Sequence, residues 1–277
     1  MNFIQRILAP KILERGPDLN RVRNICIGTN TESLTEALYL SPIPAALKSR
    51  FPNLHVQTYT GQMNPIVFTG NPNVEAMASL PKVIYGKRVA KSIAHPIQSL
   101  EQGLGLQVDT IAAPELYLSE HEKEWARGFL KSKRLPTSGD KPLCIIHPWR
   151  KKHRRTEQIL AVEVWDSIAL ELARRYRVWQ VGMWDQPALK GCEYYFLSSG
   201  TRWEARDMFS IMTHAQVFVG LASAPMHVAK ALKIPSIILV GNDPDAGLYK
   251  DGYAISVNGQ SSQDILAELR AGLGRKI

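Results

Sequence analysis

The stretch FVGLASAPMHVAKALKIPSIILVG, Phe218 to Gly241, holds a strand, a helix and a second strand with almost no loop between them. Val217–Gly220 is a short apolar run, Ser223–Leu232 has helical periodicity, and Ile237–Gly241 is again a continuous apolar run. Two strands joined through a helix lie parallel in one sheet, because the right-handed crossover returns the chain to the same edge. Small residues cluster where the first strand ends, at Gly220, Ala222, Ser223 and Ala224. They let backbone approach a ligand, and amides at a helix start attract phosphate oxygens without a cation. Ser223 adds a hydroxyl donor there.

The same alternation continues on both sides. Leu143–His147, Val178–Gly182 and Tyr194–Leu197 read as strands; Ile159–Tyr176, Arg202–Thr213 and Ser262–Leu273 read as helices. Upstream, Asn24–Gly28 is a strand, a Gly-Thr-Asn-Thr turn follows, a helical pattern runs through Leu34, Leu38, Leu40 and Leu47, and Leu54–Tyr59 is another strand. Val83–Tyr85 is expected as a strand and Pro96–Gly103 as a helix. Glu120–Lys131 is expected as a helix with Ser119 at its N-cap and Glu122 at the third helical position, the spacing of a capping box. Lys133–Pro142, with two prolines, a glycine and several polar residues, reads as a linker. The expected fold is therefore α/β, with two Rossmann-like doubly wound lobes, 1–136 and 137–277, facing a central cleft. Ligands in such sheets bind outside the carboxyl ends of the strands.

Length and composition agree with two folded domains. The chain has 277 residues, 45% hydrophobic and 21% charged, without low-complexity tracts. Its three cysteines, Cys26, Cys144 and Cys192, show no metal-ligand spacing, and the first two sit in apolar runs, which suits buried thiols in a reducing compartment. Met1–Gly16 is too short and too often charged for a signal peptide or spanning helix, so a cytoplasmic protein is expected. Phe3, Ile4, Ile7 and Leu8 fall at helical spacing beside Arg6; they read as a terminal helix docked on the body, with contact to an anionic membrane surface as the sharper alternative. A formal charge of +9 favours an acidic partner. The densest basic run is Arg150, Lys151, Lys152, Arg154 and Arg155. No aromatic-interleaved basic stripe extends beyond it, which argues against nucleic acid.

GLASAPMHVAKALKIP, Gly220–Pro235, resembles the (D)SGPMHLAxALxxP segment of glycosyltransferase family nine, the ADP-heptose:lipopolysaccharide heptosyltransferases and their relatives. The matches are Ser223, Pro225, Met226, His227, Ala229, Ala231, Leu232 and Pro235, whereas Ala222 and Ala224 stand where that family has an aspartate and a glycine. NPNVEAM (Asn71–Met77), HPIQSLEQGLGL (His95–Leu106) and LYLSEHEKEWA (Leu116–Ala126) resemble further segments of it in the same order. The resemblance spans roughly residues 24 to 273 and implies the two-lobed GT-B fold. It also implies an inverting transfer of heptose or a similar sugar from a nucleotide-diphosphate donor, ADP-linked, to a glycan or glycolipid acceptor.

Roles follow residue by residue. Donor diphosphate binding falls to Lys152, Arg154 or Arg155 in the loop after Leu143–His147, and to Ser223, Ala224, Pro225, Met226 and His227 at the helix start. The spacing from Glu36 to Pro42 in EALYLSP resembles an acid-to-proline spacing in the family's first lobe, which makes Glu36 the candidate general base, with Glu32 competing for the role. Gly182, Met183, Trp184 and Trp203 are candidates for the nucleotide-base region, and His147 is a weaker candidate at a strand end. No metal or resident cofactor is expected. Because Ala222 replaces a carboxylate, a nucleotide-sugar-binding protein without turnover is the alternative. A membrane- or nucleic-acid-binding protein driven by net charge is a third reading.

Overall fold

The computed structural model describes residues 11–13, 18–19, 21–28, 34–59, 64–75, 83–85, 114–133, 140–152, 155–157, 159–182, 186–197, 204–241 and 252–274. These divide into two compact units, Met1–Tyr117 and Leu118–Ile277.

The first unit holds a four-stranded sheet built from β1 (Lys11–Leu13), β2 (Asn24–Gly28), β3 (His55–Tyr59) and β4 (Val83–Tyr85), ordered β1-β4-β2-β3. Every pairing is parallel. Strand β1 follows the stretch expected as a terminal helix, and Phe3 to Leu8 lie outside the described residues, as does the expected helix 96–103. The single helical pattern expected through Leu47 is two helices, α1 (Leu34–Leu40) and α2 (Ile43–Arg50). Pro42 and Pro44 have no N–H to continue the ladder, so the helix restarts with Pro42 at its N-cap. Ser41, fully buried in the break, donates to the Leu38 carbonyl at 2.6 Å and accepts from the Glu115 amide at 2.6 Å. A short helix, α3 (Asn64–Phe68), completes this unit.

The second unit begins with α4 (Glu120–Ser132), which carries the expected capping box on Ser119 and Glu122. Then come β5 (Leu143–His147), the short strands β6 (Arg150–Lys152) and β7 (Arg155–Glu157), α5 (Val162–Ala173), β8 (Arg177–Gly182), β9 (Tyr194–Leu197), α6 (Ala205–Met212), β10 (Ala215–Leu221), α7 (Ala224–Ala231), β11 (Ser236–Val240), β12 (Tyr253–Ser256) and α8 (Ser262–Gly274). Six strands form one sheet ordered β12-β11-β10-β5-β8-β9, all pairs parallel. Counted from β5, this is the doubly wound order 3-2-1-4-5-6. β12 was not anticipated from the sequence.

Strand alternation sorts the core onto two faces. Cys144, Ile146, Val178, Val217, Val219, Ile237 and Leu239 share one cluster with Trp165, Ile168, Ala169 and Leu172 of α5 and Ile265 and Leu269 of α8. The α5 residues recur at the i, i+3, i+4, i+7 spacing of one helix face. On the adjacent register, Trp179 packs against Phe129 of α4 with ring centroids 6.1 Å apart, and Phe196 meets the same ring at 6.0 Å. Glu122 accepts from Arg206 Nε of α6 at 2.6 Å. Helix α4, read from the sequence as the close of the first lobe, thus packs within the second unit, and the chain divides at Tyr117/Leu118 rather than near residue 136. Its aromatic face needs the β8-β9 side of the second sheet for burial.

Candidate functional site

In a 3-2-1-4-5-6 sheet the connections leave β5 and β10 in opposite directions, so a crevice opens between their carboxyl ends. Two side chains meet there. His147 is the last residue of β5 and pairs in register with Gly220 of β10. Ser223 follows β10 after Leu221 and Ala222 and is the N-cap of α7. The Ser223 hydroxyl lies 3.1 Å from His147 Nδ1 and 3.0 Å from the Leu221 carbonyl. The hydroxyl has one proton for these two acceptors: given to Leu221, it leaves its oxygen to accept from a protonated Nδ1, and given to Nδ1, it leaves the imidazole as acceptor.

Close backbone approach makes this contact. A Cβ on Gly220 would stand 2.7 Å from the His147 carbonyl and 2.9 Å from the Phe218 ring, so glycine is what lets β5 and β10 come together at their ends. His147 is 7% exposed, and burial pushes its pKa down to about 4. His227, one turn into α7, is equally buried, and burial followed by the nearby charge of Lys230 pushes it down to about 4. Both imidazoles are uncharged at neutral pH. A base this weak does not fit a nucleophilic serine. The arrangement suits binding.

The start of α7 can supply that binding. Pro225 occupies an early helical position, where its missing N–H costs nothing. Met226 and His227 donate to the Ser223 carbonyl at 3.0 and 3.3 Å. Among the described residues, no hydrogen bond reaches the amides of Ser223 and Ala224. These two amides lie at the start of α7, with its dipole behind them, just past the carboxyl end of β10, the kind of place where anions bind. Ala222 and Ala224 are half-buried and place no carboxylate beside them.

The structure brings together only part of the expected site. Ser223, Ala224, Pro225, Met226 and His227 open α7 as expected, with His227 buried. The basic run expected as a loop is an antiparallel hairpin: β6 pairs with β7, Arg150 opposite Glu157 and Lys152 opposite Arg155. It leaves β5 two residues after His147, on the carboxyl side of the sheet. The side chains of Lys152 and Arg155, and all of Arg154, lie outside the described residues. So do Met183, Trp184 and Trp203. Gly182 ends β8, where a Cβ would meet Gln186 and stand 2.8 Å from the Tyr195 hydroxyl, so its small size also serves packing. Glu36 is the third residue of α1, with its side chain outside the described residues.

The sequence offers His147 only as a weaker candidate and does not indicate its contact with Ser223. The signal available was a histidine closing an apolar strand and a serine just past another; only the order of the strands makes them neighbours. Cys26 and Cys144 are buried, and burial pushes Cys26 and Cys192 up to about 12, which leaves little thiolate at neutral pH. No group of three His, Cys, Asp or Glu suited to a metal ion occurs among the described residues. No helix there is long and apolar enough to cross a membrane.

No protein-family model matches the chain, and no curated protein matches its sequence. Solved structures do. A glycosyl transferase family 9 protein from Veillonella parvula DSM 2008 aligns with a TM-score of 0.68 at 14% identity, covering 93% of this chain and 91% of its own. The E. coli ADP-heptose lps heptosyltransferase II aligns at 0.64 and 14% identity, covering 90% and 98%. E. coli heptosyltransferase WaaC, solved with ADP-2-deoxy-2-fluoro heptose, aligns at 0.57 and 12% identity, covering 90% and 99%. At these identities the likeness is one of fold: an α/β chain built on parallel sheets, shared with glycosyltransferases.

Proposed function

We propose that this protein is a GT-B glycosyltransferase of the family-nine type. Its second unit binds a nucleotide-diphosphate sugar at the His147–Ser223 crevice, and its first unit presents the acceptor. The observation that carries this reading is the switch point of the second sheet, where β5 and β10 part and the uncapped start of α7 offers the Ser223 and Ala224 amides. An ADP-linked heptose or similar sugar is the donor, and a glycan or lipopolysaccharide-type glycolipid is the acceptor. Glu36 takes the proton of the acceptor hydroxyl as the sugar transfers with inversion. Lys152, Arg154 and Arg155, on and beside the hairpin that follows β5, offset the charge that builds on the leaving diphosphate. No metal takes part in this scheme, and the protein works in the cytoplasm.

Calorimetric titration with ADP, GDP, UDP and their sugar conjugates tests the site. Binding of one nucleoside diphosphate is expected. Ala224→Asp should weaken it more than about tenfold, because a carboxylate at the helix start repels phosphate, while thermal stability holds or rises through the helix dipole. Undiminished binding in that variant, or no binding by the wild type, would remove the reading.

Ala222 favours a second reading, a nucleotide-sugar-binding protein without turnover, since it offers no carboxylate where the resembling family has an aspartate. Glu36→Ala separates the two. A transferase loses turnover and keeps donor affinity; a binder shows no turnover before or after the change.

A further inference from the structure

Parallel neighbouring strands are ordinarily joined through a helix, yet the described part of the crossover from β8 to β9, residues 186–193, holds none. It runs back along β8 as an extended strap, from Gln186 beside Gly182 to Glu193, whose amide donates to the Val178 carbonyl at 2.7 Å. A strap of this kind has no hydrogen-bond ladder of its own, so its buried backbone groups need side-chain partners. Gln180, fully buried within β8, supplies two: Nε2 donates to the Pro187 carbonyl at 2.8 Å and Oε1 accepts from the Leu189 amide at 2.7 Å. The Tyr195 hydroxyl of β9 donates to the Gln186 carbonyl at 3.0 Å, and Asp166 of α5 accepts from the Lys190 amide at 2.8 Å.

These bonds fix what stands at the end of β8. The Gln186 side chain lies where a Cβ on Gly182 would be, and Gln186 is itself buried. β8 neighbours β5 on the side away from β10, and Gln180 pairs with Ile146, so the end of β8 lies one strand spacing, about 4.8 Å, from that of β5. A nucleoside that leaves a diphosphate at the α7 start and extends over β5 comes to rest there. We infer that Gln180 is a positioning residue for the nucleoside half of the donor, holding the Gln186–Leu189 strap so that Gly182 and Gln186 present a fixed wall. This rests on the donor reading of the same sheet. A carboxamide suits the task because it is neutral and offers one donor and one acceptor to one strap; an apolar side chain of similar size leaves both backbone groups unpaired.

Calorimetry with ADP and, separately, inorganic pyrophosphate divides the donor into its halves. Gln180→Met fills a similar volume without the two bonds. It is expected to weaken ADP about tenfold, the scale of one or two lost hydrogen bonds, and to leave pyrophosphate within about twofold of wild type. Tyr195→Phe, a milder change that keeps the ring, should weaken ADP about threefold and leave pyrophosphate alone; it decides the matter if Gln180→Met does not fold. A merely structural Gln180 lowers both ligands together, and a nucleoside that extends over β11 instead leaves both unchanged. Either result overturns the inference.

A ligand-free arm tests the strap itself. Hydrogen exchange at the Leu189 amide should quicken about tenfold in Gln180→Met, and unchanged exchange overturns the pinning. A wild type that binds pyrophosphate but not ADP leaves the diphosphate reading standing and overturns the role of Gln180. A wild type that binds neither overturns the donor reading, and the role of Gln180 with it.

Discussion

His147 and His227 have folded-state pKa values near 4, against 6.5 for an unperturbed imidazole, with burial the leading cause for both. Between those values the unfolded chain takes up protons that the folded one refuses. Stability is therefore full above about pH 6.5, falls as pH is lowered through the window, and levels off below about 4. Each histidine contributes on the order of 3 kcal/mol to that loss, about 1.4 kcal/mol per pH unit. Urea unfolding across the range should show the slope, and His227→Asn should remove about half of it; an unchanged slope would mean that His227 is solvated. Gly220 gives a second test at this scale. Gly220→Ala puts a methyl group 2.7 Å from a backbone carbonyl and should cost about 1 to 3 kcal/mol in chemical unfolding, with nucleotide affinity falling as the ends of β5 and β10 are forced apart.

Helix α4 depends on one carboxylate for two tasks. Glu122 accepts from the Ser119 amide and hydroxyl at 2.8 Å each, closing the capping box, and from Arg206 Nε at 2.6 Å, tying α4 to α6. The Arg206 guanidinium is the main reason its pKa falls to about 2. Its contribution is present above about pH 4.5 and is lost as pH falls toward 2. Glu122→Ala should cost about 1 to 2 kcal/mol in urea unfolding, and Arg206→Ala less, because the latter leaves the capping box in place. Equal costs would assign the whole effect to the ion pair. The capping box was legible from the spacing of Ser119 and Glu122, since both partners are local in sequence. Arg206, 84 residues away, was not. The break between α1 and α2 shows the reverse lesson: the apolar spacing through Leu47 spoke for one helix, and the missing N–H groups of two prolines overrode it.

Two units, each with its own parallel sheet, give the molecule two cores. Chemical unfolding is expected to show two transitions, and a nucleoside diphosphate at about one hundred times its Kd should shift only the one belonging to 118–277, by about 2.7 kcal/mol. A ligand that stabilises both transitions equally would argue against a site confined to the second sheet. The division at Tyr117/Leu118 makes a further difference measurable. A chain spanning 118–277 should unfold cooperatively, whereas one spanning 137–277 lacks Phe129 over Trp179 and Phe196 and lacks Glu122 at Arg206, and should be markedly less stable by circular dichroism.

The sequence by itself determined the kinds of most elements of the second sheet and their alternation, but not β12 or the β6–β7 hairpin. Short apolar runs such as Leu143–His147, bounded by prolines, fit strands buried on both faces better than helices of so few residues, and the short step from Gly220 to Ala224 marks a strand turning directly into a helix. It also singled out the α7 start, because small residues before a helix are a local chemical feature. Strand order was decided by tertiary structure alone. No residue in β5 or β10 encodes that these two are neighbours, so the meeting of His147 with Ser223, 76 residues apart, could not be read in advance. The same holds for α4, whose apolar face specifies that it must be buried and not which sheet buries it. Periodicity reports that a face needs a partner; the choice of partner is a property of the whole packing.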